Sequence, residues 1–253
     1  MNIDFLLDIF IDNNKNDAII WRGRVFDYQS VYNRVMYWNK ELEIQKIKNG
    51  EVVILAADFS PDSIALFLSL IEKNCIIVPL TKSVQNKREE FIEIAQGERI
   101  ITIDDEDHVT IDKLPNIVNH ELYFVLRKRN HPGLVLFSSG STGKSKAALH
   151  DLTGILEKFK LKKKKLRTIT FLLYDHIGGV NTMLYVLSNG GCIITSADRS
   201  PGSVLNLVEK YQVELLPTSP TFINLVLISE SYKKYDLSSL KVVTYGTEPM
   251  PES

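Results

Sequence analysis

Residues 134–151 read "LVLFSSGSTGKSKAALHD". An apolar run ends in nine residues of Ser, Gly, Thr and Lys, 138–146, and a helix is expected over 148–160. Glycines let backbone N–H groups approach an anion without Cβ obstruction, and hydroxyls and lysines add donors and positive charge. The stretch therefore has the composition of a phosphate-holding loop set at the end of a strand.

A Walker loop requires G-x-x-x-x-G-K-S/T between a strand and a helix. Gly143, Lys144 and Ser145 fill its last three positions, but Ser138 stands where the leading glycine belongs. "TFLLYD" (170–175) imitates the apolar run plus Asp that accompanies such loops. A P-loop NTPase therefore remains an alternative without its first glycine, and a Ser/Gly linker is the blander one.

Around the loop, apolar runs alternate with helix-like segments. "EVVILAA" (51–57), "CIIVPL" (75–80) and "RIITID" (99–104) read as buried parallel strands. Between them lie helices expected over 60–74, with Ser60 capping and Pro61 in the first turn, and over 86–98, stopped near Gly97. A polar, irregular stretch at 105–132 holds a short strand at 121–126 and marks the expected boundary between a first lobe, 1–125, and a second, 126–253. The second lobe carries strands at 133–137, 168–174, 192–196, 213–219 and 240–246, with helices at 178–190, 200–212 and 220–231. No internal repeat is visible. The expected fold class is α/β, with mostly parallel sheets flanked by helices in two lobes.

"SSGSTGKSK" (138–146) resembles the S/T-S-G-S/T-T-G-x-P-K signature of the adenylate-forming (AMP-binding) enzymes, and eight of the nine positions agree. That superfamily includes acyl- and aryl-CoA synthetases, the adenylation domains of nonribosomal peptide synthetases, and luciferases. Ser145 replaces the usual Pro and Ala147 the usual Gly, and His150 receives no role. Three further segments resemble family motifs in the correct order. They are 65–92 around Pro79 and Leu80, "TFLLYDHIGGVNTML" (170–184) around His176, Gly178 and Gly179, and "YDLSSLKVVTYGTEPMPES" (235–253). In the last, "YGTE" (245–248) lacks one residue of the family's Y-G-x-T-E motif and sits in the context of the motif that precedes it.

The resemblance implies a reaction and a set of residues. A carboxylic acid attacks the α-phosphorus of ATP, pyrophosphate leaves, and the acyl-adenylate passes to a thiol of coenzyme A or of a carrier protein's phosphopantetheine. Ser138, Ser139, Gly140, Ser141, Thr142, Gly143 and Lys146 would hold phosphates, assisted by Mg²⁺. Gly246, Thr247, Glu248 and Pro249 would line the adenine pocket, and His176 would lie near the carboxylate. Thr142, Lys146 and His176 are the implied catalytic residues, and no protein metal ligand is assigned. A carboxylic acid with a pKa near ~4 is already ionised at neutral pH, so catalysis rests on positioning and charge rather than on a base. The Y-G-x-T-E motif, the ribose-binding Asp, the hinge and the C-terminal lysine are not in these residues. The chain is therefore expected to be the N-terminal part of a larger ligase, weak or inactive alone. The alternative is a non-catalytic nucleotide-binding module derived from the family.

Bulk properties agree with such a reading. The chain has 253 residues, 44% hydrophobic and 24% charged, with net charge −1. No global field attracts nucleic acid or membrane, and the basic run "KFKLKKKKLR" (158–167) reads as a solvated helix end. "MNIDFLLDIFIDNN" places Asp4, Asp8 and Asp12 at helical spacing, as in an amphipathic helix rather than a signal peptide. Cys75 and Cys192 show neither metal nor disulfide spacing, so a cytoplasmic setting is expected.

Overall fold

The computed structural model describes residues 2–139 and 145–246, with the backbone alone at Ser139. The chain runs α1 (Asp4–Asp12), β1 (Asp17–Trp21), β2 (Arg24–Asp27), α2 (Tyr28–Ile44), β3 (Val52–Ala56), α3 (Pro61–Glu72), β4 (Ile76–Leu80), α4 (Arg88–Ala95), β5 (Arg99–Ile103), β6 (Val109–Lys113) and α5 (Glu121–Arg129). It continues with β7 (Gly133–Ser139), β8 (Ser145–Asp151), α6 (Leu152–Glu157), β9 (Arg167–Thr170), α7 (Ile177–Ser188), β10 (Cys192–Thr195), α8 (Pro201–Tyr211), β11 (Leu215–Thr218), α9 (Pro220–Ile228) and β12 (Val242–Tyr245).

Two six-stranded sheets form, ordered β6-β5-β3-β4-β7-β8 and β12-β11-β9-β10-β1-β2. β2, β6 and β8 are antiparallel edges, and the remaining pairings are parallel. Alternation along the strands makes the layers. Val53, Leu55 and Ile77 face a central core with α1, α2, α3 and α7, while Val52, Ile54 and Val78 face α4 and Tyr123 of α5. Ile20, Ile169 and Ile194 face α8 and Phe222 of α9. Burial on both faces is why these strands read as continuous apolar runs.

The units β3-α3-β4-α4-β5 and β9-α7-β10-α8-β11 share one strand order, 5-3-4 and 11-9-10. In each, the first helix lies in the central core and the second on an outer face, so a topological switch point falls at the C-terminal ends of β3/β4 and of β9/β10. The repeat is one of topology, without a repeat of residues.

Several local expectations are corrected. Residues 145–151 are a strand, because every residue from Ser145 to Asp151 pairs with β7, from Ser139↔Ser145 to Gly133↔Asp151. The helix starts only after Asp151, whose Oδ1 accepts from Thr153 N at 3.0 Å. Residues 121–126 are helical and bury only Tyr123 and Leu126. The strand expected over 168–174 stops at Thr170. The sheets also do not divide the chain at 105–132. β7 and β8 join the sheet of β3–β6, through Ile76↔Gly133, and the N-terminal hairpin joins that of β9–β12, through Ile19↔Ile193.

Ser60 caps α3 in a reciprocal box with Ser63. Asp27 caps α2, its Oδ1 accepting from Ser30 N at 2.8 Å and from the Ser30 hydroxyl. The Ser30 hydroxyl and then its N–H hold the Asp27 carboxyl below its ordinary value. A lowered folded value means a contribution present above the unfolded value of about 4 and lost as pH falls through the folded one. Asp27→Ala is expected to cost about 1 kcal/mol at neutral pH. In urea titrations at stepped pH, that difference should shrink in acid.

Among the described residues no helix is long and apolar enough to cross a membrane. Cys75 and Cys192 are free and buried, and burial pushes both thiols up, that of Cys192 to about 12.

Candidate functional site

The strands on either side of residues 140–144 are antiparallel neighbours, since Ser139 pairs with Ser145. A Walker loop leads from a strand into a helix whose N-terminus faces the phosphate. Here the chain enters a strand, so that alternative loses the helix it requires. On the β7–β8 ladder Lys146 stands directly opposite Ser138, which sets both on one face of the hairpin. Lys146 is exposed.

Ser138 and Ser145 line a cavity of about 280 Å³ together with Ser83, Phe137, Asp175 and His176. Phe137 stacks on Phe91 at 3.9 Å and forms its apolar wall. The Ser145 hydroxyl is enclosed and has no protein partner among the described residues. Residue 145 is where this chain departs from the nine-residue family signature, with an enclosed hydroxyl where Pro would have none.

His176 is the N-cap residue of α7, and it is exposed. Its position follows from two contacts. Its N–H donates to Leu173 O at 3.2 Å, and its carbonyl accepts from Gly179 N at 3.0 Å. A Cβ on Gly179 would lie 1.9 Å from Leu173 O, so the second glycine of "HIGG" permits a close backbone approach.

Asp175 ties the two switch points together. Its Oδ2 accepts from Thr81 Oγ1 at 2.7 Å and from Ser83 Oγ at 2.8 Å, both in the turn after β4. Its Oδ1 is enclosed without a protein partner among the described residues. Thr81 is 3% exposed. Thr81→Val would remove one of the two donors to an enclosed carboxylate, at an expected cost of about 1–2 kcal/mol. An unchanged urea midpoint would remove Thr81 from the account of how the two sheets meet.

Of the sequence-predicted residues, the structure brings Ser138 and His176 to one cavity and sets Lys146 opposite Ser138. Ser139 closes the ladder, and Gly246 follows β12 at the C-terminal end of the parallel strands. Gly140, Ser141, Thr142, Gly143, Thr247, Glu248 and Pro249 lie outside the described residues. Tyr174 and Phe222 are core residues. Tyr174 is fully buried and packs on Phe59 at 3.9 Å, and Phe222 packs on Phe171 at 4.5 Å. Sequence reasoning did not find Thr81 or Ser83; it met Asp175 only as the Asp of an imitated Walker pattern and Ser145 only as the residue replacing the signature Pro. Asp175 had a signal in its place beside His176.

Two βαβαβ units of one strand order, their helices on both faces of mostly parallel sheets, define an α/β protein. The model of the AMP-binding enzyme family matches residues 12–253, and the chain belongs to that family. It is similar to acetyl-coenzyme A synthetase of Streptomyces avermitilis, 33% identical over 142 residues, covering 49% of this chain and 21% of that protein. It is also similar to 4-coumarate–CoA ligase-like 9 of Arabidopsis thaliana, 29% identical over 133 residues, 48% of this chain and 23% of that one. The N-terminal subdomain of Klebsiella oxytoca NpsA superposes with TM-score 0.75 at 17% identity over 97% of this chain and 66% of that one. The anthranilate CoA ligase AuaEII, solved with anthranoyl-AMP, gives TM-score 0.79 at 16% identity over 97% and 55%. These two likenesses establish the fold. The matched region spans under a quarter of the curated relatives just named and about half to two-thirds of the solved chains.

Proposed function

We propose that this chain is the N-terminal portion of an AMP-forming acid–thiol ligase. In this reading a carboxylic acid attacks the α-phosphorus of ATP, the bond to pyrophosphate breaks, and pyrophosphate leaves with the electron pair. The acyl group then passes to a thiol of coenzyme A or of a carrier protein. The observation that carries the reading is the convergence of Ser138, Ser145 and His176 on one cavity at the base of the Ser/Gly/Lys hairpin.

The residues present fit a phosphate. Lys146 offers an exposed ammonium on the same face of the β7–β8 pair as Ser138, while Ser145, paired with Ser139, lies on the other face. Mg²⁺, when bound, would offset phosphate charge, with the phosphates supplying part of its oxygen shell. The chain's own work is to hold the phosphates on the hairpin and to orient the carboxylate beside His176. No base is needed, because the acid arrives ionised.

ATP–pyrophosphate exchange across a panel of carboxylic acids tests the proposal. It is run on the 253-residue chain and, where the reading frame continues past Ser253, on the longer product. The longer protein is expected to exchange with one class of acid, and this chain weakly or not at all. Nucleotide binding without exchange in both would favour a derived binding module. ATP hydrolysis without exchange would count against acid activation.

A further inference from the structure

β3, β4, β5 and β7 run parallel, so the starts of β3 and β5 lie at the end of their sheet opposite the hairpin that follows β7. A cavity of about 480 Å³ opens there. Four cations line it, Lys48, Arg99, Lys113 and Arg127, against two carboxylates, Glu51 and Glu98. Both carboxylates are engaged within the fold. Glu51 Oε1 accepts from Arg99 Nε at 2.9 Å, and its Oε2 from Lys48 N at 2.7 Å. Glu98 Oε2 accepts from Arg127 Nη2 at 2.7 Å and from Val52 N at 2.8 Å. The two arginines are thereby matched. Lys113 stands opposite Arg99 on the β5–β6 ladder, and neither its ammonium nor that of Lys48 enters an ion pair among the described residues.

The rim of this cavity is apolar. Ile117, 83% exposed, lines it. The Arg127 guanidinium lies 5.9 Å over the Phe124 ring and so joins the cavity to α5. α5 turns Tyr123 and Leu126 inward, while Leu122, Phe124 and Val125 are between 42% and 52% exposed. Helical spacing sets Phe124 and Val125 beside Lys128 and Arg129 on the outward side. Lys128 enters no ion pair among the described residues, and Arg129 reaches Asp151 only at 4.0 Å. Glu121 is the one acidic residue of the helix.

Apolar side chains exposed among unpaired cations match a surface in which acyl chains lie beneath anionic headgroups. A nucleic acid would use the cations and leave Ile117, Leu122 and Val125, which offer no ring for a base, in water. The chain's net charge of −1 averages over this local surplus.

We propose that this end of the molecule docks peripherally on an anionic phospholipid bilayer. A headgroup phosphate sits beside Lys48 and Lys113, and Ile117 and the outward side of α5 reach the acyl boundary. The phosphate hairpin, at the other end of the same sheet, then faces solution. The docking does not depend on the proposed ligase activity.

Flotation of the 253-residue chain tests this, with vesicles of phosphatidylcholine alone and of phosphatidylcholine mixed roughly two to one with phosphatidylserine. The chain is expected to float with the mixed vesicles only, and less as salt rises. Lys48→Gln with Lys128→Gln should lower the partition coefficient about tenfold or more. Phe124→Ser with Val125→Ser should lower it by a similar factor at an unchanged circular-dichroism spectrum. The basic run 158–167 supplies the control, because Lys163→Gln with Lys164→Gln should leave flotation nearly unchanged. Flotation lost in that control and kept in the α5 variants would overturn the proposal, as would equal flotation with both vesicles or none with either. Release by soluble glycerophosphoserine at matched ionic strength would assign the cavity to a free anion instead. Duplex DNA bound equally by the chain and by the serine variant, without flotation, would assign the face to nucleic acid. If the serine variant does not fold, the lysine pair and its control decide.

Discussion

Gly179→Ala is expected to destabilise the protein by about 3 kcal/mol, whereas Gly178→Ala, one residue earlier, should cost less than about 1. The contrast comes from what each new methyl would meet. At Gly179 the Cβ would fall 1.9 Å from Leu173 O, 2.4 Å from Leu173 C and 2.8 Å from Leu172 O, all backbone atoms. Relief requires the β9–α7 connection to move as a whole. That connection carries Tyr174, whose ring is buried between Phe59 and Phe67, and Asp175, which is fixed to Thr81 and Ser83. At Gly178 the Cβ would meet Leu172 Cδ1 at 2.6 Å, the far end of a side chain that can change rotamer. Urea denaturation of the two variants reads the difference directly. Equal midpoints would mean that the glycine pair is merely a helix start and not a close packing of helix on loop. Because His176 lies in the same connection, the Gly179 variant should also disturb the cavity of Ser138 and Ser145.

The elements legible in the sequence are those whose burial imprints a local pattern. β3, β4 and β5 are apolar on both faces because helices cover both, and the Ser-Pro starts of α3 and α8 announced caps that the structure contains. The hairpin β1–β2 escaped notice. It turns on Arg22-Gly23, with φ of 50° and 79°, and an arginine in a left-handed position is not the usual Asn-Gly signal. α2 was readable in principle, for Tyr28, Val31, Val35, Trp38 and Leu42 are buried at spacings of three and four. β8 was not readable. "KAALHD" has helical propensity, and only the seven-residue ladder with β7 overrides it.

The candidate site divides the same way. Ser138 and His176 sit in short motifs and were found. Thr81 and Ser83 meet Asp175 across 94 and 92 residues, and no local pattern encodes that meeting. The shared strand order of the two βαβαβ units explains why the meeting falls there. Each unit opens a crevice where its crossovers diverge, and the turn after β4 meets the turn after β9.

Lys146→Ala is expected to lower ATP–pyrophosphate exchange about 100-fold or more in the longer product of the reading frame, with little change in stability. Lys146 is exposed on an edge strand and no ion pair engages it among the described residues, so removing it leaves no buried partner stranded. Its cost should fall on the reaction. A carboxylate approaching a triphosphate is a meeting of like charges, and two unit charges at about 4 Å repel by about 4 kcal/mol at an effective dielectric constant of about 20. An ammonium on the same hairpin face as Ser138 offsets part of that repulsion as the two anions close. It should lower the barrier more than it strengthens ground-state ATP binding, so the maximal rate should fall further than the affinity for ATP. Lys146→Arg keeps the charge and should recover part of the loss, less than fully because a guanidinium spreads its charge over a plane. If Lys146→Ala instead weakens ATP binding alone, with the rate at saturation intact, the lysine is an anchor for nucleotide and another group carries the charge of the transition state.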